Sequence, residues 1–182
     1  MDQFSDLEGL RMAMEIENLG FEFYREAHER AINPKHKLLF SFLMQEELDH
    51  SAQFESVYKI LIRNKPVNEE DYLYDPEVSR YLQILVETHI FPQRNTFIHD
   101  PKIANGVLQT GWQWQTPGQE SPNELTLKAI LRIALQAEKD SILFYDEMRN
   151  SAQFPEAKQI FTELKAEEQS HVEKIQKLIH SF

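Results

Sequence analysis

Glu47-Leu48-Asp49-His50, echoed 121 residues later by Glu168-Gln169-Ser170-His171, is the stretch from which the fold can be read. Positions three apart on a helix share a face one turn apart, so each pair aims a carboxylate and an imidazole into one space. Oxygen and nitrogen ligands at that spacing suit a first-row transition metal held inside a helical bundle. One such pair would mean little in a chain with 30 acidic residues. Here each pair is preceded at the same distance by a further glutamate: Glu17 lies 30 residues before Glu47, and Glu138 lies 30 before Glu168.

The correspondence extends well beyond the ligand-type residues. Laying residues 10–58 on 131–179 without a gap gives 15 identities in 49 positions. They include Leu10/Leu131, Ala13/Ala134, Phe23-Tyr24/Phe144-Tyr145, Pro34/Pro155, Phe40/Phe161, Leu43/Leu164 and Glu46/Glu167. A gapless repeat of this length implies that both halves build one unit, here a pair of helices.

Hydrophobic spacing and capping signals place those helices. Ser5-Asp6-Leu7-Glu8 is a capping box, and Leu10, Ala13, Met14, Glu17, Phe21, Tyr24 and His28 then recur at helical spacing to about residue 31. Asn33-Pro34 supplies an N-cap and a first-turn proline for a second helix to about 63, with Phe40, Leu43, Glu47, His50, Phe54, Val57 and Leu61 on one stripe. Residues 64–121 hold five of the eight prolines and both tryptophans, with a short helix predicted from about Asp75-Pro76 to Thr88. A connection of this length can act as the long crossover between two helix pairs. Ser121-Pro122-Asn123-Glu124 starts a third helix, carrying Leu131, Ala134, Leu135, Glu138, Ile142 and Tyr145. Phe154-Pro155 starts a fourth, with Phe161, Leu164, Glu168, His171, Ile175 and Leu178 inward, running nearly to Phe182. The expected fold is therefore all-α, a single domain over 1–182: helix pair 5–63, crossover 64–121 and helix pair 122–181.

Composition removes several classes of function. With no cysteine there is no disulfide framework and no thiolate metal site. A net charge of -11 disfavours nucleic acid and anionic membrane surfaces. No apolar run approaches the roughly 18 residues a membrane span requires. Met-Asp-Gln-Phe-Ser-Asp lacks a basic region followed by an apolar one, so a cytoplasmic location is expected.

Four carboxylates in an apolar core are costly unless cations compensate them. Two divalent ions balance four negative charges, with two neutral imidazoles completing the ligand set. A Glu from each of two helices plus Glu-x-x-His from each of the others is a known dimetal arrangement in bundles. Mixed oxygen and nitrogen ligation suits iron or manganese, with zinc as an alternative occupant.

Glu17-x5-Phe23-Tyr24, Glu46-Glu47-x-x-His50, Glu138-x5-Phe144-Tyr145 and Glu167-Glu168-x-x-His171 together resemble the ferritin-like superfamily, and within it the rubrerythrin-type di-iron domain. The resemblance covers both helix pairs. It implies a four-helix bundle of two hairpins, two iron ions bridged by Glu47 and Glu168, terminal ligands Glu17 and Glu138, and one ion each for His50 and His171. Tyr24 and Tyr145 would donate to the ligating carboxylates. It further implies an oxidoreductase that reduces hydrogen peroxide or dioxygen with electrons from a separate donor, working as a homodimer. The alternative is ferrous oxidation for iron storage or transfer, with no organic substrate. Two departures stand out. Ser141 occupies a place where rubrerythrins carry an extra carboxylate associated with peroxidase action, and the cysteine-ligated electron-transfer domain is missing.

The remaining candidates read more plainly. Phe23 and Phe144 are core aromatics, His28 is a helix-end histidine, and His89 and His99 are surface residues of the crossover. Glu46 and Glu167, about 100° around the helix from the ligand face, read as outward-facing. Trp112 and Trp114 would cover the bundle or form a subunit contact.

Overall fold

The computed structural model of the protein describes residues 4–63 and 127–180, together with Arg80, Ile84 and Val86. Four long helices account for most of these: α1 (Asp6–Arg30), α2 (Pro34–Ile62), α3 (Leu127–Ser151) and α4 (Pro155–Ile179). α1 packs along α2 and α3 along α4, and the two hairpins meet through α1 against α3 and α2 against α4. The result is the four-helix bundle of two hairpins read from the repeat.

The helix ends follow from their local sequences. Ser5 accepts from the Glu8 amide while the Glu8 carboxylate accepts from the Ser5 amide, closing the capping box that starts α1. Asn33 accepts from the Lys35 amide, with Pro34 in the first turn of α2. α4 starts differently. Its N-cap residue is Phe154, which has no side chain able to cap. Asp6, from the first turn of α1, instead holds the turn ahead of the helix: its carboxylate accepts from the Phe154 amide at 2.8 Å and the Gln153 amide at 3.0 Å. This buried aspartate ties the start of one hairpin to the turn of the other.

The predicted stripes form one core. Leu10, Ala13, Phe40, Leu43, Phe54, Leu131, Ala134, Phe161, Leu164 and Ile175 are inaccessible or nearly so, and each fully buried large side chain contributes roughly 1.5–3 kcal/mol. Small differences from the sequence reading arise at stripe edges. Tyr58 is buried where Val57 is only partly so, and Phe144 is partly buried against the core that encloses Phe23. The predicted short helix over 76–88 lies mostly outside the described residues; within it Arg80, Ile84 and Val86 are helical, and Val86 joins the core. The capping box at 121–124, His89, His99, Trp112 and Trp114 also lie outside the described residues. Among the described residues, no helix is long and apolar enough to cross a membrane.

Candidate metal centre

At mid-length the apolar core is interrupted by a cluster of ionisable side chains. Glu17 comes from α1, Glu47 and His50 from α2, Glu138 from α3, and Glu168 and His171 from α4. None is more than 5% exposed. They form two overlapping groups, Glu17 with Glu47, His50 and Glu168, and Glu138 with Glu47, Glu168 and His171. Within each group one potential ligand atom per residue lies within 4.8 Å of all the others. Two atoms on opposite sides of an ion with bonds of about 2.1 Å stand about 4.2 Å apart, so each group needs little contraction to close on an ion. Glu47 and Glu168 belong to both groups, so two ions, one per group, could share these two carboxylates.

The histidines fix the orientation of the cluster. The two rings stack nearly parallel, 18° apart, with centroids at 5.5 Å. His50 Nδ1 is 2.9 Å from Glu168 Oε1 and 3.3 Å from Glu17 Oε2. His171 Nδ1 is 2.9 Å from Glu168 Oε2 and 3.9 Å from Glu138 Oε2. Both Nδ1 atoms therefore face the carboxylates, and Glu168 lies across the pair with one oxygen to each ring.

The tyrosines cross between hairpins. The Tyr24 hydroxyl donates to Glu138 Oε1, and the Tyr145 hydroxyl donates to Glu17 Oε1. Each hairpin's tyrosine thus holds the unshared glutamate of the other. Both phenols are fully enclosed, and burial with the adjacent carboxylate charges pushes them well above the usual tyrosine range.

Glu46 and Glu167 correct the sequence reading. They are partly exposed, yet Glu167 Oε2 lies 3.1 Å from His50 Nε2 and Glu46 Oε2 lies 3.4 Å from His171 Nε2. A position 100° from the core-facing stripe points toward the neighbouring helix when one is there, and α2 and α4 are neighbours. The signal was present in the sequence as the duplicated Glu-Glu of both motifs. His28 lies at the turn end of the first hairpin beside Ile32 and Pro34, away from the cluster.

Burial dominates the electrostatics. It raises Glu47 well above the carboxylate range, reinforced by the charge of Glu17 and their shared hydrogen bond. Glu138 is pushed well above by burial and by Glu168, and Glu168 is raised by burial and Glu17 against hydrogen bonds from His50 and Glu138. Glu17 moves the other way: burial would raise it, but hydrogen bonds with Glu47, His50 and Tyr145 hold it below its ordinary value. For His50, burial is outweighed by Glu168 and Glu17, and it rises to about 11. Without cations the cluster must therefore hold protons between its carboxylates. Displacement of such protons by divalent ions is the behaviour of a metal site, and an all-oxygen-and-imidazole donor set fits iron or manganese.

A small cavity opens beside the cluster between α1 and α3, walled by Gly20, Ser141, Ile16 and Ala137 against Glu47, Glu138 and Glu168. It has room for about one water-sized molecule. The Ser141 hydroxyl turns back to donate to the Ala137 carbonyl at 3.0 Å.

Comparison with known proteins agrees with this architecture. The family model Rubrerythrin matches residues 108–182, which contain α3, α4, Glu138, Tyr145, Glu168 and His171. No curated protein and no solved structure matches the chain.

Proposed function

We propose that this chain, whose helical architecture and rubrerythrin match fit a ferritin-like, rubrerythrin-type domain, is a di-iron oxidoreductase acting on hydrogen peroxide or dioxygen. The observation that carries the reading is the pair of overlapping ligand groups sharing Glu47 and Glu168. On this reading Glu47 and Glu168, common to both groups, would hold both ions, Glu17 and Glu138 would be terminal ligands, and His50 and His171 would each serve one ion. Bound iron would supply Lewis acidity and the electrons for reducing the oxidant.

The chain's own residues bind, orient and enclose. Tyr24 and Tyr145 each occupy one carboxylate oxygen of Glu138 and Glu17, leaving the other oxygen for an ion. The apolar shell of Phe54, Phe161 and Leu164 keeps bulk water from the carboxylates. The cavity at Gly20 and Ser141, with room for about one water-sized molecule, lies directly beside Glu47, Glu138 and Glu168. Electrons come from a separate donor, and the working form is a homodimer.

Anaerobic loading with ferrous iron, followed by stopped-flow mixing with peroxide, tests the reading. Rapid growth of near-ultraviolet absorption at two irons per chain, with turnover when a reductant is supplied, is the expected result. Iron binding without turnover under any reductant would refute it. A second reading is ferrous oxidation for storage or transfer, in which Ser141, its hydroxyl bonded to the Ala137 carbonyl, adds no ligand to the cluster. Uptake of many irons per chain into a large assembly would establish that alternative.

A further inference from the structure

We infer that an added small ligand binds at only one of the two ion positions, the one served by Glu138 and His171, and that Ala137 and Ile16 decide this. The inference rests on the two-ion reading and extends it to two residues outside the ligand set.

A shift of 121 residues lays one hairpin on the other, so it also shows where the two differ. Tyr24 meets Glu138 and Tyr145 meets Glu17, so α1 and α3 run antiparallel, and Gly20 and Ser141 lie midway between those two bonds. The cavity beside the cluster opens at that midpoint. Identical hairpins would extend it equally toward Glu17 and toward Glu138. Instead, among the described residues, its walls include Tyr24 and Glu138 and neither of their counterparts, Tyr145 and Glu17. Glu47 and Glu168 also border it, but they are common to both ligand groups and favour neither ion.

The repeat supplies the cause. One turn before Gly20 on α1 stands Ile16, and one turn before Ser141 on α3 stands its counterpart, Ala137. Because the helices are antiparallel, these turns lie on opposite sides of the midpoint, Ile16 toward Glu17 and Ala137 toward Glu138. Both residues are buried and both wall the cavity. Isoleucine is much the larger side chain, and its branched Cβ leaves one strongly preferred rotamer in a helix, so it acts as a fixed plug. Alanine leaves the equivalent volume empty, about enough for one water-sized molecule. Ser141 does not take up that volume, because its hydroxyl is turned to the Ala137 carbonyl. Each ion would meet four donor residues, and metal centres that react with small molecules keep a further position open. Room for such a position exists beside Glu138, whereas beside Glu17 the side chain of Ile16 fills it.

The full chain loaded with Co2+ and titrated with fluoride, an anion close to water in size, tests this. Visible absorption follows the cobalt, and calorimetry counts the fluoride bound. The parent is expected to hold two Co2+ ions per chain and to take one fluoride. Ala137→Val and Ala137→Ile should keep both Co2+ ions and weaken fluoride binding at least about tenfold, because the added carbons occupy its place. The valine variant is included because isoleucine overpacks the site more severely. Ile16→Ala, which adds no bulk, should take a second fluoride; a single fluoride there would overturn the inference even if both Ala137 variants failed to fold. Parental fluoride affinity in Ala137→Val would also overturn it. Two fluorides on the parent, or none, with both Co2+ ions bound would overturn it while leaving the two-ion reading intact. A parent that binds no Co2+ overturns both.

Discussion

Gly20 lies so close to Glu47 that a Cβ at position 20 would stand 2.8 Å from Oε2 and 2.9 Å from Cδ of that glutamate. Glycine in mid-helix costs about 1 kcal/mol relative to alanine, so its presence in α1 calls for a reason. The reason is room for a carboxylate that both ligand groups share. Gly20→Ala is therefore expected to separate folding from metal binding. The helix gains propensity while Glu47 is pushed out of register, leaving metal-free stability within about 1 kcal/mol of the parent. Metal affinity should fall at least about tenfold. Urea unfolding and Co2+ titration of one preparation read both quantities.

Glu47 and Glu17 should respond differently to the same isosteric change. Glu47 is held well above the carboxylate range by burial and by Glu17, so in the metal-free protein its carboxyl already resembles an amide in charge. Glu47→Gln should leave metal-free stability nearly unchanged at pH 7 and remove binding of both ions. Glu17 is the carboxylate kept charged by Glu47, His50 and Tyr145 against the cost of burial. Glu17→Gln should cost about 1–3 kcal/mol of metal-free stability, since hydrogen bonds to a buried charge are lost. Calorimetry and elemental analysis distinguish the two variants.

Stability of the metal-free protein should fall as pH rises from about 5 to 9. His50 titrates near 6.5 when unfolded and near 11 in the fold. Its contribution is complete below 6.5 and is lost as pH climbs toward 11. Glu47, Glu138 and Glu168 are also raised, from an ordinary 4.5, so theirs is complete below 4.5 and lost above it. Glu17 is lowered and acts oppositely, contributing above 4.5 and weakening only in acid. Divalent ions take the place of the retained protons, so loading should release protons and reverse the trend. Urea midpoints across this range, with and without Zn2+, provide the check; a metal-free midpoint rising with pH would contradict it.

Asp6→Ala should destabilise the protein by about 1–3 kcal/mol, because the Gln153 and Phe154 amides in the turn ahead of α4 lose their acceptor. Asp6→Asn should recover part of that, its side-chain oxygen still accepting. Since Asp6 lies about three turns along α1 from Glu17 and sits at the α4 start, ion stoichiometry should be unaffected in both variants.

Much of the fold was legible because helical signals are local. The capping box at Ser5 and Glu8, the Asn33-Pro34 start and the stripes ending at Leu61 and Leu178 are each decided within a few turns of chain. The acceptor that holds the turn ahead of α4 was not legible. Asp6 stands 148 residues from the amide it receives, and nothing near Phe154 announces it. Glu46 and Glu167 show the same limit: helical phase gives an angle from the core stripe, but only the neighbouring helix decides whether that angle faces water.

By itself the sequence determined a duplicated helix hairpin with three ionisable residues per copy on its apolar stripe, because periodicity and spacing are properties of the chain alone. The tertiary structure decided how the copies engage: Tyr24 with Glu138, Tyr145 with Glu17, Glu167 with His50 and Glu46 with His171. Each of those bonds joins one hairpin to the other, and their pairing depends on which helices become neighbours, a relation that no local pattern encodes.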